Sequence, residues 1–176
     1  MVKQFLTYDT EYEIVKLADH NIKPGNCTNI DSDDWLTILE KILNSDIVIF
    51  ATPIWWGIQS SLAQRVIERL DELHDEIMET GISRLTNKVA GIIITGDSDG
   101  AEHIIGNLDN FFLALGLTIP SFGTLTVLCP GFAKNRDKNK EEKLKYLEDN
   151  CTSTAKKAAQ NLTFMVNLLK TNLYPK

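Results

Sequence analysis

Long apolar runs are missing from this 176-residue chain. No stretch approaches the roughly 20 apolar residues that span a bilayer, and "MVKQFLTYDTEYE" lacks the apolar core and small-residue cleavage site of a signal peptide. The expectation is a cytoplasmic protein without a membrane partner. Cysteine is scarce: Cys27, Cys129 and Cys151 are odd in number and carry no CxxC spacing. That argues against a disulfide framework, a zinc site or an iron–sulfur site, and the three read as free thiols. Basic charge is outweighed, with 18 Lys and Arg against 24 Asp and Glu, and forms no stripe, so nucleic acid is not an expected partner. There is no G-x-G-x-x-G and no Walker loop. His20, His74 and His103 have no ligand-like spacing, so no metal site is expected. No G-x-S-x-G elbow surrounds Ser60 and Ser61, which suit a helix cap better than a nucleophile. "DELHDE" reads as a solvated helix end, and the N-x-[ST] triplets at Asn26, Asn150 and Asn161 would matter only in a secreted chain.

What is present is alternation, in a length that suits a single domain over residues 1–176. "YEIVKL" (12–17), "DIVIFAT" (46–52), "KVAGIIITG" (88–96) and "GTLTVL" (123–128) are short, β-branched runs followed by turn or helix-start residues, and each predicts a strand. The middle two are nearly continuous in Val and Ile, as strands covered on both faces of a parallel sheet are. Helices are expected between them. Ser32 is a candidate N-cap, with Asp33 and Asp34 in the first turn and Trp35, Ile38, Leu39 and Ile42 at helical spacing. Ser60 or Ser61 can cap a helix that buries Leu62, Val66, Ile67, Leu70 and Leu73. Ile104, Ile105, Leu108, Phe111, Phe112 and Leu115 form another stripe, closed by Gly116. Ala158, Ala159, Leu162, Met165, Val166 and Leu169 mark the last helix, and "PGFAKNRDKNKEEK" (130–143) reads as a solvated excursion before it. Strand–helix alternation predicts a doubly wound α/β fold, mainly parallel, with helices on both faces.

In such sheets ligands bind beyond the carboxyl ends of the strands. That rule selects two loops. In the first, Thr52, Pro53, Ile54, Trp55, Trp56 and Gly57 combine a φ-fixing proline, an aromatic face and a glycine free to take positive φ. In the second, Thr95, Gly96 and Asp97 lead through Gly100 into a helix N-terminus whose free N–H groups can meet carbonyl oxygens of a flat ligand.

"DIVIFATPIWWGIQSSLAQRVIERLDEL" resembles the central segment of flavodoxin-like NAD(P)H-dependent FMN reductases: a strand ending in Thr-Pro, an aromatic-rich loop, and a helix ending in an acidic–Arg pair, here Glu68 and Arg69. "NKVAGIIITGDSDGAEHIIGNLDNFFLALGLTIP" resembles the family's next strand, loop and helix, "VKLADHNIKPG" the segment after its second strand, and "NLTFMVNLLKTNLYP" a last helix of flavodoxin-family proteins. Gln64 departs from the Lys that many members carry, and Glu102 and His103 fall near a His or Glu that some relatives place by the flavin.

The resemblance implies a flavodoxin-like fold that binds FMN, with the ring against Thr52 to Gly57 and its pyrimidine edge near Thr95 to Asp97. It further implies NAD(P)H as co-substrate, a small-molecule electron acceptor and a homodimer. Flavin chemistry asks for no protein nucleophile, so no catalytic side chain is nominated. An electron carrier without nicotinamide turnover and a non-catalytic binding or assembly module are the alternatives. The resemblance also exposes a gap, because the family's first strand and its Ser/Thr-rich phosphate loop have no counterpart here. "VKQFL" lies too close to "YEIVKL" to be that strand, since a parallel crossover needs a dozen or more residues. In the flavodoxin order 2-1-3-4-5 the missing strand has a neighbour on each side, so an N-terminally truncated sheet with unpaired edges and an open groove is expected. Either the sequence is a fragment of a longer flavoprotein or the short chain is a product in its own right. Consistent local signals throughout favour the former.

Overall fold

The computed structural model describes residues 1–26, 30–97, 99–129 and 140–175. Three parallel strands, β1 (Ile47–Pro53), β2 (Val89–Gly96) and β3 (Thr124–Leu128), lie in the order β1-β2-β3. Five α-helices accompany them among the described residues: α1 (Val2–Phe5), α2 (Trp35–Asn44), α3 (Ser61–Thr80), α4 (Ala101–Ala114) and α5 (Lys140–Thr171). The continuous apolar sequence of β2 suits its place, since it is the middle strand and is covered on both faces. On one face Ala90, Ile92 and Ile94 join Phe50, Trp35 and Ile38 of α2, Val66 and Leu70 of α3, and Ile104, Leu108 and Phe112 of α4. Phe50 and Phe112 meet edge to face at 4.9 Å. On the other face Val89, Ile47 and Ile49 pack with Phe5 of α1 and Ala159, Leu162, Val166 and Leu169 of α5. Burial of this many aliphatic side chains, at about 1.5–3 kcal/mol each, is what holds the layers together.

Glycine makes the closest of these contacts possible. A Cβ on Gly91 would stand 3.1 Å from Leu162 Cδ1 and 3.2 Å from the Gly123 carbonyl. The bare backbone of β2 therefore lets α5 settle onto the sheet.

Three expectations need correction. Residues 12–17 form no strand: the backbone at Lys16 is extended, but the stretch joins no ladder and ends in a 3-10 turn at Leu17–Asp19. Val15 and Leu17 still pack into the apolar cluster that includes Val48, whereas Tyr12 and Ile14 are exposed. The physical reason is the lack of a neighbour, for no described strand pairs with the outer side of β1. Pro53 belongs to that outer register, where its missing N–H removes no ladder bond. Secondly, Ser32 does not cap α2. Ser32 lies at φ 57°, the cap position is Asp34, which makes no side-chain capping bond, and Asp33, also ahead of the helix and not in its first turn, accepts at Oδ1 from the Trp35 N–H at 2.9 Å.

Elsewhere the expected signals hold. The Ser60 hydroxyl accepts from Ala63 N–H at 3.2 Å and starts α3, and Gly116 follows α4 with φ 84°. Thirdly, helix α5 begins at Lys140, so residues 140–143, expected as loop, are helical. The rest of that excursion, residues 130–139, together with Cys27, Thr28, Asn29, Ser98 and Lys176, lies outside the described residues.

Candidate functional site

Beyond the carboxyl ends of β1 and β2 the two nominated loops lie side by side. Thr52, buried at the end of β1, organises the first: its hydroxyl accepts from the Ser60 N–H at 2.9 Å and lies 3.1 Å from the Pro53 carbonyl. The loop is thereby closed at its base on the cap of α3. Its tip is a hairpin, in which Trp55 N–H donates to Ile58 O at 2.8 Å and Ile58 N–H returns a bond to Trp55 O at 3.1 Å. The two central residues both have positive φ, 50° at Trp56 and 78° at Gly57, the requirement of a type I′ turn. Glycine meets that requirement without strain, but tryptophan does not.

The second loop is fitted to the first. Ile54 N–H donates to Thr95 O at 2.9 Å, and a Cβ on Gly96 would stand 2.7 Å from Ile54 Cδ1. Gly100, at φ 101°, approaches the Gly57 backbone. The helix that follows, α4, has Gly100 at its N-cap and therefore no capping side chain at that position. Glu102 and His103 are exposed in that turn, and His103 Nε2 lies 3.2 Å from Asn107 Nδ2.

Thus all ten nominated residues, Thr52 to Gly57, Thr95 to Asp97 and Gly100, belong to one constellation. Trp56 is fully exposed and Trp55 is 62% exposed, and Pro53 and Thr95, paired in the ladder, are also open to solvent. The result is an open aromatic wall rather than a closed pocket. These residues fit a flat aromatic ring with polar edges: indole faces supply stacking surface and the uncapped turn of α4 supplies donors. Neither loop is the Ser/Thr-rich one that the resemblance assigns to the phosphate. A separate shallow groove of about 410 Å³, lined by Gly25, Asn26, Ile67, Glu68, Asp71 and Phe111, runs between α3 and α4.

Sequence reading missed the anchor beneath the site. Arg69, 1% exposed, pairs with buried Asp33, donates to the Lys23 carbonyl at 3.2 Å, and has its guanidinium carbon 5.5 Å from the Trp35 ring centroid. Arg65 adds a bond to Ile22 O at 2.7 Å. The connection before α2 is thereby tied to α3. The sequence carried one signal of this, an Asp at the start of a helix and an Arg on an otherwise apolar helix face, but not their pairing. Gln64 accepts from Gln59 Nε2 at 2.5 Å, linking the end of the aromatic loop to α3.

A family model described as NADPH-dependent FMN reductase matches residues 1–127. The chain is 33% identical over 120 residues to the 8-demethyl-8-aminoriboflavin-5'-phosphate synthase of Streptomyces davaonensis, covering 62% of this chain and 47% of that protein. It is 29% identical over 147 residues to an iron-sulfur flavoprotein of Methanocaldococcus jannaschii, covering 72% of each. The chain therefore spans about half the length of the first of these relatives. A crystal structure of RosB with the bound intermediate 8-demethyl-8-formylriboflavin-5'-phosphate superposes with a TM-score of 0.81 at 25% identity, over 98% of this chain and 71% of that one. An NADH:FMN oxidoreductase in its apo form shares the fold, with a TM-score of 0.62 at 13% identity over 99% of this chain and 79% of that one. With its parallel sheet, its two fitted strand-tip loops and a match over residues 1–127, the chain belongs to the NADPH-dependent FMN reductase family.

Proposed function

We propose that this chain is an FMN-dependent NAD(P)H oxidoreductase that passes electrons to a small-molecule acceptor. The observation that carries the reading is the fitted pair of loops, whose packed glycines hold an exposed Trp55–Trp56 wall beside the uncapped start of α4. Relatives whose names concern riboflavin phosphates and flavoproteins support a flavin as the ligand.

Bound FMN would supply the hydride chemistry. The work of the chain is positioning. Trp55 and Trp56 would cover one side of the ring and keep water from it, and the backbone donors near Gly96 and at Gly100 and Ala101 would meet its pyrimidine edge. Thr52 fixes the loop base through Ser60, so the wall keeps its distance from β2. No side chain need act as acid, base or nucleophile. A homodimer is part of this reading, because fully exposed Trp56 invites cover from a second copy.

The test is a titration of the purified chain with FMN and, separately, with riboflavin, followed by flavin fluorescence, and then NADPH and NADH oxidation with a quinone acceptor. If the ring supplies the contact, both flavins are quenched with similar affinity, and nicotinamide is consumed only when flavin is present. Quenching without nicotinamide turnover would leave an electron carrier. Absence of quenching by either flavin would overturn the reading in favour of a non-catalytic module.

A further inference from the structure

The cysteines at the far end of the sheet acquire a relationship that their spacing in sequence does not suggest. Leu125 and Val127 of β3 face α5 and pack with Ala155. Cys129 continues that alternation, two residues past Val127, and its N–H donates to the Gly96 carbonyl at 2.8 Å, extending the ladder beyond the end of β3. Strand geometry carries it about 6.6 Å past Val127. On the helix, Cys151 precedes Ala155 by one turn and lies on the same face as Ala155, Ala158 and Leu162. Helix geometry carries it about 6 Å past Ala155.

The direction of the offset is the same for both. Along α5 the contacts run from Leu125 and Val127 at Ala155, through Gly91 at Leu162, to Ile47 and Val89 beside Val166 and Leu169. The helix thus runs antiparallel to the strands, and one turn before Ala155 corresponds to two residues after Val127. The thiols of Cys129 and Cys151 therefore stand at one level between sheet and helix, half-buried in a single apolar cluster.

We propose that Cys129 and Cys151 form a reversible disulfide that staples the end of β3 to the first part of α5. The oxidant is a peroxide or a low-molecular-weight disulfide. With hydrogen peroxide one thiol attacks an oxygen, giving a sulfenic acid and releasing water. The second thiol then displaces that oxygen as a second water, so two thiols lose two electrons and two protons as the S–S bond forms. The bond needs Cα atoms about 4.4–6.8 Å apart. Residues 141–150 are mostly exposed, so little packing opposes drawing that part of α5 toward β3.

The charged surroundings set how readily this happens. Burial pushes the Cys129 thiol up, and Cys151 on α5 and Asp97 after β2 push it the same way. The staple consequently forms faster as pH rises. It closes next to Gly96 and Asp97 of the candidate site.

The experiment uses the full chain, oxidised with a small excess of hydrogen peroxide, alkylated, digested without reductant and mapped by mass spectrometry, with a parallel count of reactive thiols. The sequence holds three cysteines. The expected result is a fall from three reactive thiols to one, a linked peptide pair containing residues 129 and 151, reversal by dithiothreitol, and loss of the linked pair in Cys151→Ser. Three thiols surviving oxidation, a bridge to Cys27, or cross-linked dimers in place of the internal bond would each overturn the proposal. The mapping is done on the unmodified chain, so the answer does not depend on any variant folding.

Discussion

Gly100 rests on Gly57: a Cβ at residue 100 would stand 2.8 Å from the Gly57 Cα. Two loops 43 positions apart in sequence are thereby held in backbone contact, and the substitution Gly100→Ala forces them apart while also straining φ 101°. We expect destabilisation of about 1–3 kcal/mol and a loss of flavin affinity. Gly106 provides the control, since it is exposed within α4 with no atom near its would-be Cβ. Gly106→Ala should stabilise by about 0.5–1 kcal/mol and leave flavin binding alone. Urea denaturation and fluorescence titration of both variants check this.

Trp56 separates function from stability in a different way. It is fully exposed, so removing it uncovers nothing, and its positive φ is the kind of strain that glycine relieves. Trp56→Gly should raise stability by about 1 kcal/mol while weakening flavin binding. A variant more stable than the parent with undiminished flavin affinity would show that the indole has no part in the wall.

The buried Asp33–Arg69 pair leads to a stronger prediction. Asp33→Ala removes the acceptor for Trp35 N–H and leaves the guanidinium in the core without that carboxylate, which should cost about 3–5 kcal/mol. Adding Arg69→Met should restore part of the loss, because the buried charge goes with it. The midpoints of urea unfolding of single and double variants measure the coupling.

Much of this architecture is legible from periodicity. The Val/Ile runs of β1 and β2, the Ser60 cap and the Leu/Ile stripes of α3 and α4 each state a local preference that the fold keeps. Residues 12–17 state a strand preference as well, yet a strand needs a neighbour and none of the described strands lies beside them. Propensity there was overruled by pairing. The loop residues were legible by position, at strand ends, but the contacts of Gly96 with Ile54 and of Gly100 with Gly57 were not. Nor was the Asp33–Arg69 pair, for a contact across 36 positions leaves no periodic trace.

The unpaired side of β1 makes its own prediction. Asp46 O and Ile54 N bond to β2, so by alternation Ile47, Ile49 and Ala51 direct their N–H groups away from it. Hydrogen exchange at these three amides should be much faster than at Ile92 and Ile94 in the central strand. Equal protection would mean that the outer edge is covered in solution.

Asp109 on α4 supplies a pH-dependent test. Burial raises its pKa, and among the described residues Oδ1 has no hydrogen-bond partner, so the charged form is the one the folded state disfavours. The sign follows from the raised value: the stability associated with the protonated group is complete below the ordinary carboxylate pKa of about 3.9 and is lost as pH rises through the higher folded-state value. Asp109→Asn mimics the neutral form at every pH. It should therefore melt at a higher temperature than the parent at pH 7, with the difference shrinking to nothing as the pH is brought below about 4. A gap in Tm that stays constant across this range would mean that the substitution acts through packing and not through the buried charge.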